Sequence, residues 1–284
     1  MHDYNNKVRK MILNTLQIIA ITILVAYGIL SVIALIFSGR MIFPNKPSSY
    51  TDNHRIIKIP FDNEKKISGI YLPNEQAQYT LLYSHGNYED IGELYSTFED
   101  FQQMGYSVFA YDYPGYGTSD GRATEKDTYL SINAAYAYLI GKLEVKPEKI
   151  IAFGRSVGGG PAVDLASRKL LGGLILESTF VSAFRVLTKY SILPWDKFNN
   201  INKINSVSCP ILFIHGKNDE VVSFWHAKTL MEKANNPKLY LWVEGAGHND
   251  IVVSAGKTYW DTLDKFQIHI KKYTRNLKDK RNTI

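Results

Sequence analysis

Gly154-Arg155-Ser156-Val157-Gly158 satisfies G-x-S-x-G, the pattern of a sharp turn that raises a serine hydroxyl between a strand and a helix. The apolar run Ile150-Ile151-Ala152-Phe153 stands directly before Ser156, and a segment with helical spacing, residues 161–171, follows it. Gly117-Thr118-Ser119-Asp120-Gly121 satisfies the same pattern, but Ser119 lies beyond its strand in a loop rich in Gly, Pro and Tyr, with no helix starting at once. Context therefore makes Ser156 the candidate nucleophile, against the plainer reading of a serine that caps a helix.

A serine hydroxyl is a poor nucleophile at neutral pH and needs a base within hydrogen-bond reach, which in turn needs an orienting carboxylate. After Ser156 the chain offers both, in the order acid then histidine. Residues 210–214 read as a strand running into His215-Gly216-Lys217-Asn218-Asp219, which brings Asp219 just past a strand end. The next strand, residues 239–243, leads through Gly245-Ala246-Gly247 to His248. Ligand sites of open α/β sheets lie at the carboxyl edge of the strands, where all three side chains can meet. Glu177, at the end of the strand before, is the rival acid. His269 is the rival base but falls within a helical segment, His85 and His215 sit before glycines at strand ends as loop braces, and His226 reads as a helix residue. A metal centre from His215, Asp219, His248 and Asp250 lacks the helical His-x-x-x-His spacing of zinc hydrolases, so no metal and no cofactor is expected. Acyl transfer also needs two fixed N–H groups for the developing oxyanion. The backbone N–H of Val157 and that of Asn87, in the loop Ser84-His85-Gly86-Asn87-Tyr88, are the candidates.

The elements that must carry these residues follow from apolar periodicity. Residues 54–61 and 66–72 read as an antiparallel pair joined by the turn Asp62-Asn63-Glu64. Short continuous apolar runs at 80–84, 106–111, 149–153, 173–176, 210–214 and 239–243 each precede a helical segment or a loop. Strands apolar on both sides, separated by helices, imply a mainly parallel α/β sheet with helices on both faces. Residues 255–273 read as a closing amphipathic helix, with Tyr259, Leu263, Phe266 and Ile270 on one side.

With His85-Gly86-Asn87, Asp112-Tyr113-Pro114-Gly115-Tyr116-Gly117, Gly154-Arg155-Ser156-Val157-Gly158-Gly159, His215-Gly216-Lys217-Asn218-Asp219 and Gly245-Ala246-Gly247-His248 in this order, residues 54–273 resemble the α/β-hydrolase superfamily. They are similar in particular to its small membrane-anchored members, which include single-pass α/β-hydrolase-domain proteins and protein depalmitoylases. The resemblance implies the α/β-hydrolase fold, with Ser156, Asp219 and His248 as nucleophile, acid and base, and a structural role for the loop that holds Ser119. Those depalmitoylases attach through a cysteine-rich N-terminus; this chain has an apolar segment there instead.

Residues 11–39 contain no charge, and the 20 residues from Ile18 to Phe37 are enough to cross about 30 Å of hydrocarbon. The stretch is longer than a secretory signal's apolar core and lacks a good cleavage site, so one uncleaved transmembrane helix is expected. Lys7, Arg9 and Lys10 on the N-terminal flank favour a cytoplasmic N-terminus and an extracytoplasmic catalytic domain. The expected plan is a basic flank at 1–10, the membrane helix at 11–39, a linker at 40–53, the hydrolase domain at 54–273 with a short insertion at 178–207, and a basic tail at 274–284. The net charge of +6 is concentrated at the two ends and leaves residues 41–270 near −2, which argues against nucleic acid as a partner. Cys209 is the single cysteine of the 284 residues, which excludes an internal disulfide. The insertion carries Phe180, Phe184, Leu187, Ile192, Leu193, Trp195 and Phe198, either to line an apolar acyl pocket or to pack. The function these features suggest is cleavage of a small or lipid-like carboxylic ester or thioester through an acyl-serine. A peptidase or amidase with the same triad and a non-catalytic binding protein are the alternatives.

Overall fold

The antiparallel pair and the six apolar runs all become strands of one sheet in the computed structural model, which describes residues 2–281 apart from 45, 63 and 236. The middle of the turn expected at Asn63, one residue of the 40–53 segment and residues 282–284 of the basic tail lie outside the described residues. The strands are β1 (Ile57–Asp62), β2 (Lys65–Leu72), β3 (Thr80–Ser84), β4 (Ser107–Tyr111), β5 (Ile150–Arg155), β6 (Gly173–Glu177), β7 (Ile211–Gly216) and β8 (Lys238–Val243). Their spatial order is β1-β2-β4-β3-β5-β6-β7-β8. Only the β1–β2 and β2–β4 pairs are antiparallel, and the five remaining pairs are parallel.

The chain divides into two units, Met1–Ile42 and Phe43–Ile284. The first is the helix α1 (His2–Ile42), which extends beyond both ends of the charge-free segment 11–39 and is long and apolar enough to cross a membrane. In the second, helices follow the strands: α2 (Tyr95–Gln103), α3 (Glu125–Gly141), α4 (Gly159–Ala166), α5 (Asn200–Lys203), α6 (Trp225–Lys233), α7 (Ile251–Ala255) and α8 (Lys257–Arg281). The helix expected at 161–171 begins earlier and stops at Ala166, because residues 167–172 are needed to return the chain to the start of β6. The closing helix does not stop at 273; α8 continues into the basic tail to Arg281.

Side-chain alternation along the strands explains the layers. Leu81, Tyr83, Ile151, Phe153, Ile175, Leu212 and Ile214 join Phe98 and Phe101 of α2 and Tyr259, Leu263, Phe266 and Ile270 of α8 in one buried cluster. The intervening residues, such as Leu82, Phe109, Ala152 and Leu174, are buried without joining it; α3 and α4 lie against the sheet, and Tyr138 of α3 meets Phe109 at 5.7 Å between ring centroids. Residues 43–53, expected as linker, are packed into this second unit. Phe43 is buried edge-on against Tyr113, Tyr116 and Phe198, and Tyr50 Oη donates to the buried carboxylate of Asp112 at 2.5 Å.

Candidate active site

At the end of β5 the chain makes a 3-10 turn, Ser156–Gly158, and enters α4 at Gly159. Ser156 has φ +52°, a left-handed backbone that costs a non-glycine residue energy and persists only where the surroundings enforce it. Two contacts do so. Thr179 Oγ1, just past β6, donates to the Ser156 carbonyl at 2.8 Å. Gly154 and Gly158 allow the strand and helix to meet: a Cβ on Gly154 would stand 2.5 Å from Gly158 O, and one on Gly158 would overlap Ser84 O. That close approach is the physical reason for the two glycines of the pattern.

Two loops at the same sheet edge, after β7 and after β8, converge on this turn. His248 Nε2 lies 3.1 Å from Ser156 Oγ, and His248 Nδ1 lies 2.8 Å from Asp219 Oδ2. Asp219 Oδ1 accepts the backbone N–H groups of Val221 at 2.9 Å and Val222 at 2.7 Å. All three side chains are buried. Burial works to raise the Asp219 carboxyl, but hydrogen bonds from His215 and His248, the charge of His248 and the Val222 N–H outweigh it and hold the carboxyl well below the usual carboxylate range. Asp219 therefore stays ionised beside the imidazole. The arrangement can take a proton from the serine hydroxyl and stabilise the imidazolium that results.

The rival acid and the rival serine stand apart from this chain of hydrogen bonds. Glu177 is buried between Arg155 Nε, 3.4 Å away, and Tyr259 Oη, which donates to it at 2.7 Å. Burial pushes its carboxyl up against the pull of Arg155. Ser119 Oγ is occupied as a brace, accepting the Ser68 N–H at 2.8 Å and donating to Asp112 O at 3.3 Å. His85 Nδ1 contacts Gly86 O at 2.6 Å and its Nε2 faces Asp112. His215 Nε2 sits 2.8 Å from Val222 O and 3.2 Å from Asp219, so it braces the acid loop. His226 Nδ1 accepts the Val181 N–H at 3.2 Å, and burial lowers its pKa to about 4, so the ring is neutral there. His269 lies within α8. Burial pushes the Cys209 thiol up to about 12, which leaves it inert as a nucleophile. Among the described residues no group of three or more His, Cys, Asp or Glu is disposed to hold a metal ion. His215 and His248 each meet Asp219 Oδ2, while Asp250 accepts the Gly247 N–H.

Asn87 lies in the loop after β3, where its carbonyl accepts Tyr116 Oη–H at 2.8 Å; Val157 is the residue after Ser156 in the turn. In the 178–207 insertion, Phe180 and Phe198 are buried, whereas Leu187 is 75% exposed and Tyr190 and Ile192 are also exposed. Sequence reasoning missed Thr179 and three further polar groups beside the site, Glu89, Arg155 and Asn249, because each acts across loops distant in sequence.

An eight-stranded, mostly parallel sheet with a serine on the turn after β5, and an acid and a histidine after β7 and β8, defines an α/β-hydrolase-fold protein. The family model described as serine aminopeptidase, S33, matches residues 75–199. Alpha/beta hydrolase domain-containing protein 17B of Homo sapiens is 44% identical over 179 residues, 62% of each chain. Alpha/beta hydrolase domain-containing protein aho-3 of Caenorhabditis elegans is 42% identical over 198 residues, 69% of this chain and 58% of that protein. The match thus spans about three fifths of the length of these curated relatives. The esterase Pf2001 of Pyrococcus furiosus shares the fold, with a TM-score of 0.66 at 20% identity over 80% of this chain and 97% of that one. The chain has the α/β-hydrolase fold and is similar in sequence to proteins named as α/β-hydrolase-domain proteins.

Proposed function

We propose that this chain is a membrane-anchored serine hydrolase that cleaves carboxylic esters or thioesters through an acyl-Ser156 intermediate. The observation that carries the reading is the continuous hydrogen-bonded series Ser156 Oγ, His248 Nε2, His248 Nδ1, Asp219 Oδ2, with steps of 3.1 and 2.8 Å, built on a serine with φ +52°. Ser156 Oγ attacks the acyl carbon as its proton passes to His248 Nε2. The carbonyl oxygen becomes an oxyanion held by the N–H groups of Val157 and Asn87, a contribution of about 3 kcal/mol for each such donor in related chemistry. His248 then returns the proton to the leaving alcohol or thiol, and water, deprotonated by the same ring, releases the acid and frees the serine.

Two features support a lipid-like acyl group. The exposed apolar side chains Leu187, Tyr190 and Ile192 belong to the insertion that begins after β6, beside the strand that carries Ser156. The helix α1 has the length and composition to hold the enzyme at a bilayer. Its flanking Lys7, Arg9 and Lys10 support a cytoplasmic N-terminus with the hydrolase unit on the opposite side. A topology reporter fused to the C-terminus is expected to be active only outside the cytoplasm, and cytoplasmic activity would reverse the orientation.

The family model's description, serine aminopeptidase, favours one second reading, amide hydrolysis by the same triad. A panel of acyl esters, thioesters and amides of graded chain length separates the readings. Ester and thioester turnover that exceeds amide turnover by at least a hundredfold, and that Ser156→Ala abolishes, is the expected result. Preferential amide cleavage selects the peptidase, and ligand binding without turnover selects a binding protein.

A further inference from the structure

Arg155 occupies a position in G-x-S-x-G that the turn itself leaves open to any residue, yet its side chain is only 13% exposed. A guanidinium buried that far needs partners for its fixed fork of donors. Here they come from separate loops at the edge of the sheet where Ser156 sits. Nη1 pairs with Glu89 Oε1, and the other oxygen of that carboxylate accepts the Gly86 N–H at 2.8 Å. Nη2 donates to Asn249 Oδ1 at 2.7 Å and lies 3.5 Å from His248 O. Nε faces Glu177 at 3.4 Å.

We infer that Arg155, with Glu89 and Asn249, is a positioning clamp that sets where His248 and the Gly86-Asn87 turn stand relative to Ser156. The inference rests on the function proposed above and adds residues to it that do not touch the substrate. One arm reaches the loop that carries the base, and one, through Glu89, reaches the turn that carries the proposed second oxyanion donor. Arg155 is the residue before the nucleophile, so the backbone from which the guanidinium reaches the two loops also carries Ser156. A cation without that fork cannot reproduce it, because an ammonium is a point charge with no fixed plane. Packing on the Glu89 side is close: a Cβ on Gly86 would stand 2.9 Å from Glu89 Oε2 and 3.3 Å from Arg155 Nη1. A cavity of about 250 Å³ borders the same groups, with Arg155, Glu89, Glu177, His248, Asn249 and Tyr259 in its lining. Water there can hydrate the two carboxylates when the guanidinium is removed, so substitution perturbs alignment ahead of the fold. Misplacement of a reacting group by about 1 Å costs on the order of 10²-fold in rate.

The test uses the full chain in detergent, with three measurements: the rate and site of fluorophosphonate labelling, kcat and KM on a short-chain p-nitrophenyl ester, and Tm. Arg155→Gln is expected to lower kcat and the labelling rate about 10²-fold with KM within threefold of the wild type. Arg155→Lys is expected to recover less than a tenth of the wild-type rate. Asn249→Ala, which removes only the arm to the His248 loop, is expected to lower kcat about tenfold with KM and Tm unchanged. The loss in the double variant should be smaller than the product of the single losses, because both act through one contact. Arg155→Gln at a rate within threefold of the wild type, full rescue by lysine, or single losses that multiply would each overturn the clamp. If Arg155→Gln does not fold, Asn249→Ala decides: no change in its kcat overturns the inference. A wild-type chain that is not labelled at Ser156 overturns the proposed function itself, a result distinct from labelling that is indifferent to Arg155.

Discussion

Asp219→Asn changes one oxygen into an NH₂ group, and the geometry dictates which one. Asp219 Oδ1 accepts two backbone N–H groups, from Val221 at 2.9 Å and Val222 at 2.7 Å, and the chain fixes both. An asparagine keeps its carbonyl oxygen on that side, because an NH₂ there would face two donors. The NH₂ then points at His248 Nδ1, 2.8 Å from the present Oδ2. The ring can accept it only by carrying its own proton on Nε2, the nitrogen 3.1 Å from Ser156 Oγ, and in that tautomer it is no base for the serine. Restoring the productive tautomer requires turning the amide over, which leaves the buried Val222 N–H and the partly buried Val221 N–H unpaired at up to about 1–3 kcal/mol each and sets donor against donor. A cost of about 5 kcal/mol corresponds to a loss on the order of 10⁴-fold in kcat, the size expected when a triad acid holds the wrong tautomer. Steady-state turnover of a p-nitrophenyl ester measures it, with KM expected unchanged because Asp219 reaches Ser156 only through His248. A folded Asp219→Asn enzyme with kcat within tenfold of the wild type would refute the reasoning.

Two stability predictions follow from the same edge of the sheet. Asp219 is held below its unfolded pKa of about 3.9, so its contribution to stability is complete above about pH 5 and is lost as pH falls toward the folded value. The gap in unfolding free energy between wild type and Asp219→Asn should therefore narrow from about pH 6 to about pH 3, and a gap that stays constant contradicts it. Gly158→Ala forces a Cβ onto the backbone oxygens of Ser84 and His85, neither of which can swing aside. A cost of about 3 kcal/mol is expected, lowering the melting temperature of the hydrolase unit by about 6–12 °C, and wild-type melting would contradict it.

The α/β class and the places of the strands along the chain were legible because most strands are short apolar runs bounded by turn residues, a local pattern. The meeting of Ser156, Asp219 and His248 was legible for a related reason: each follows a strand directly, and parallel strands deliver their ends to one edge. What was hidden is contact across loops. Nothing in the sequence ties Glu89 to Arg155 or Asn249, or Thr179 to the Ser156 carbonyl, because these pairs are decided by strand order and loop course. The 40–53 segment was misleading in a different way. Its Pro, Ser and Asn content reads as linker, but Phe43 and Tyr50 are anchor residues whose partners, Tyr113, Phe198 and Asp112, lie far along the chain. Helix ends followed tertiary need over periodicity, as the early stop of α4 at Ala166 illustrates.

Peptide mapping by mass spectrometry after reaction with a fluorophosphonate probe addresses the role of Ser156 most directly. One adduct is expected, on the peptide that contains Ser156, absent from Ser156→Ala and strongly slowed in His248→Ala. An adduct on Ser119, or ester turnover that survives Ser156→Ala, would contradict it.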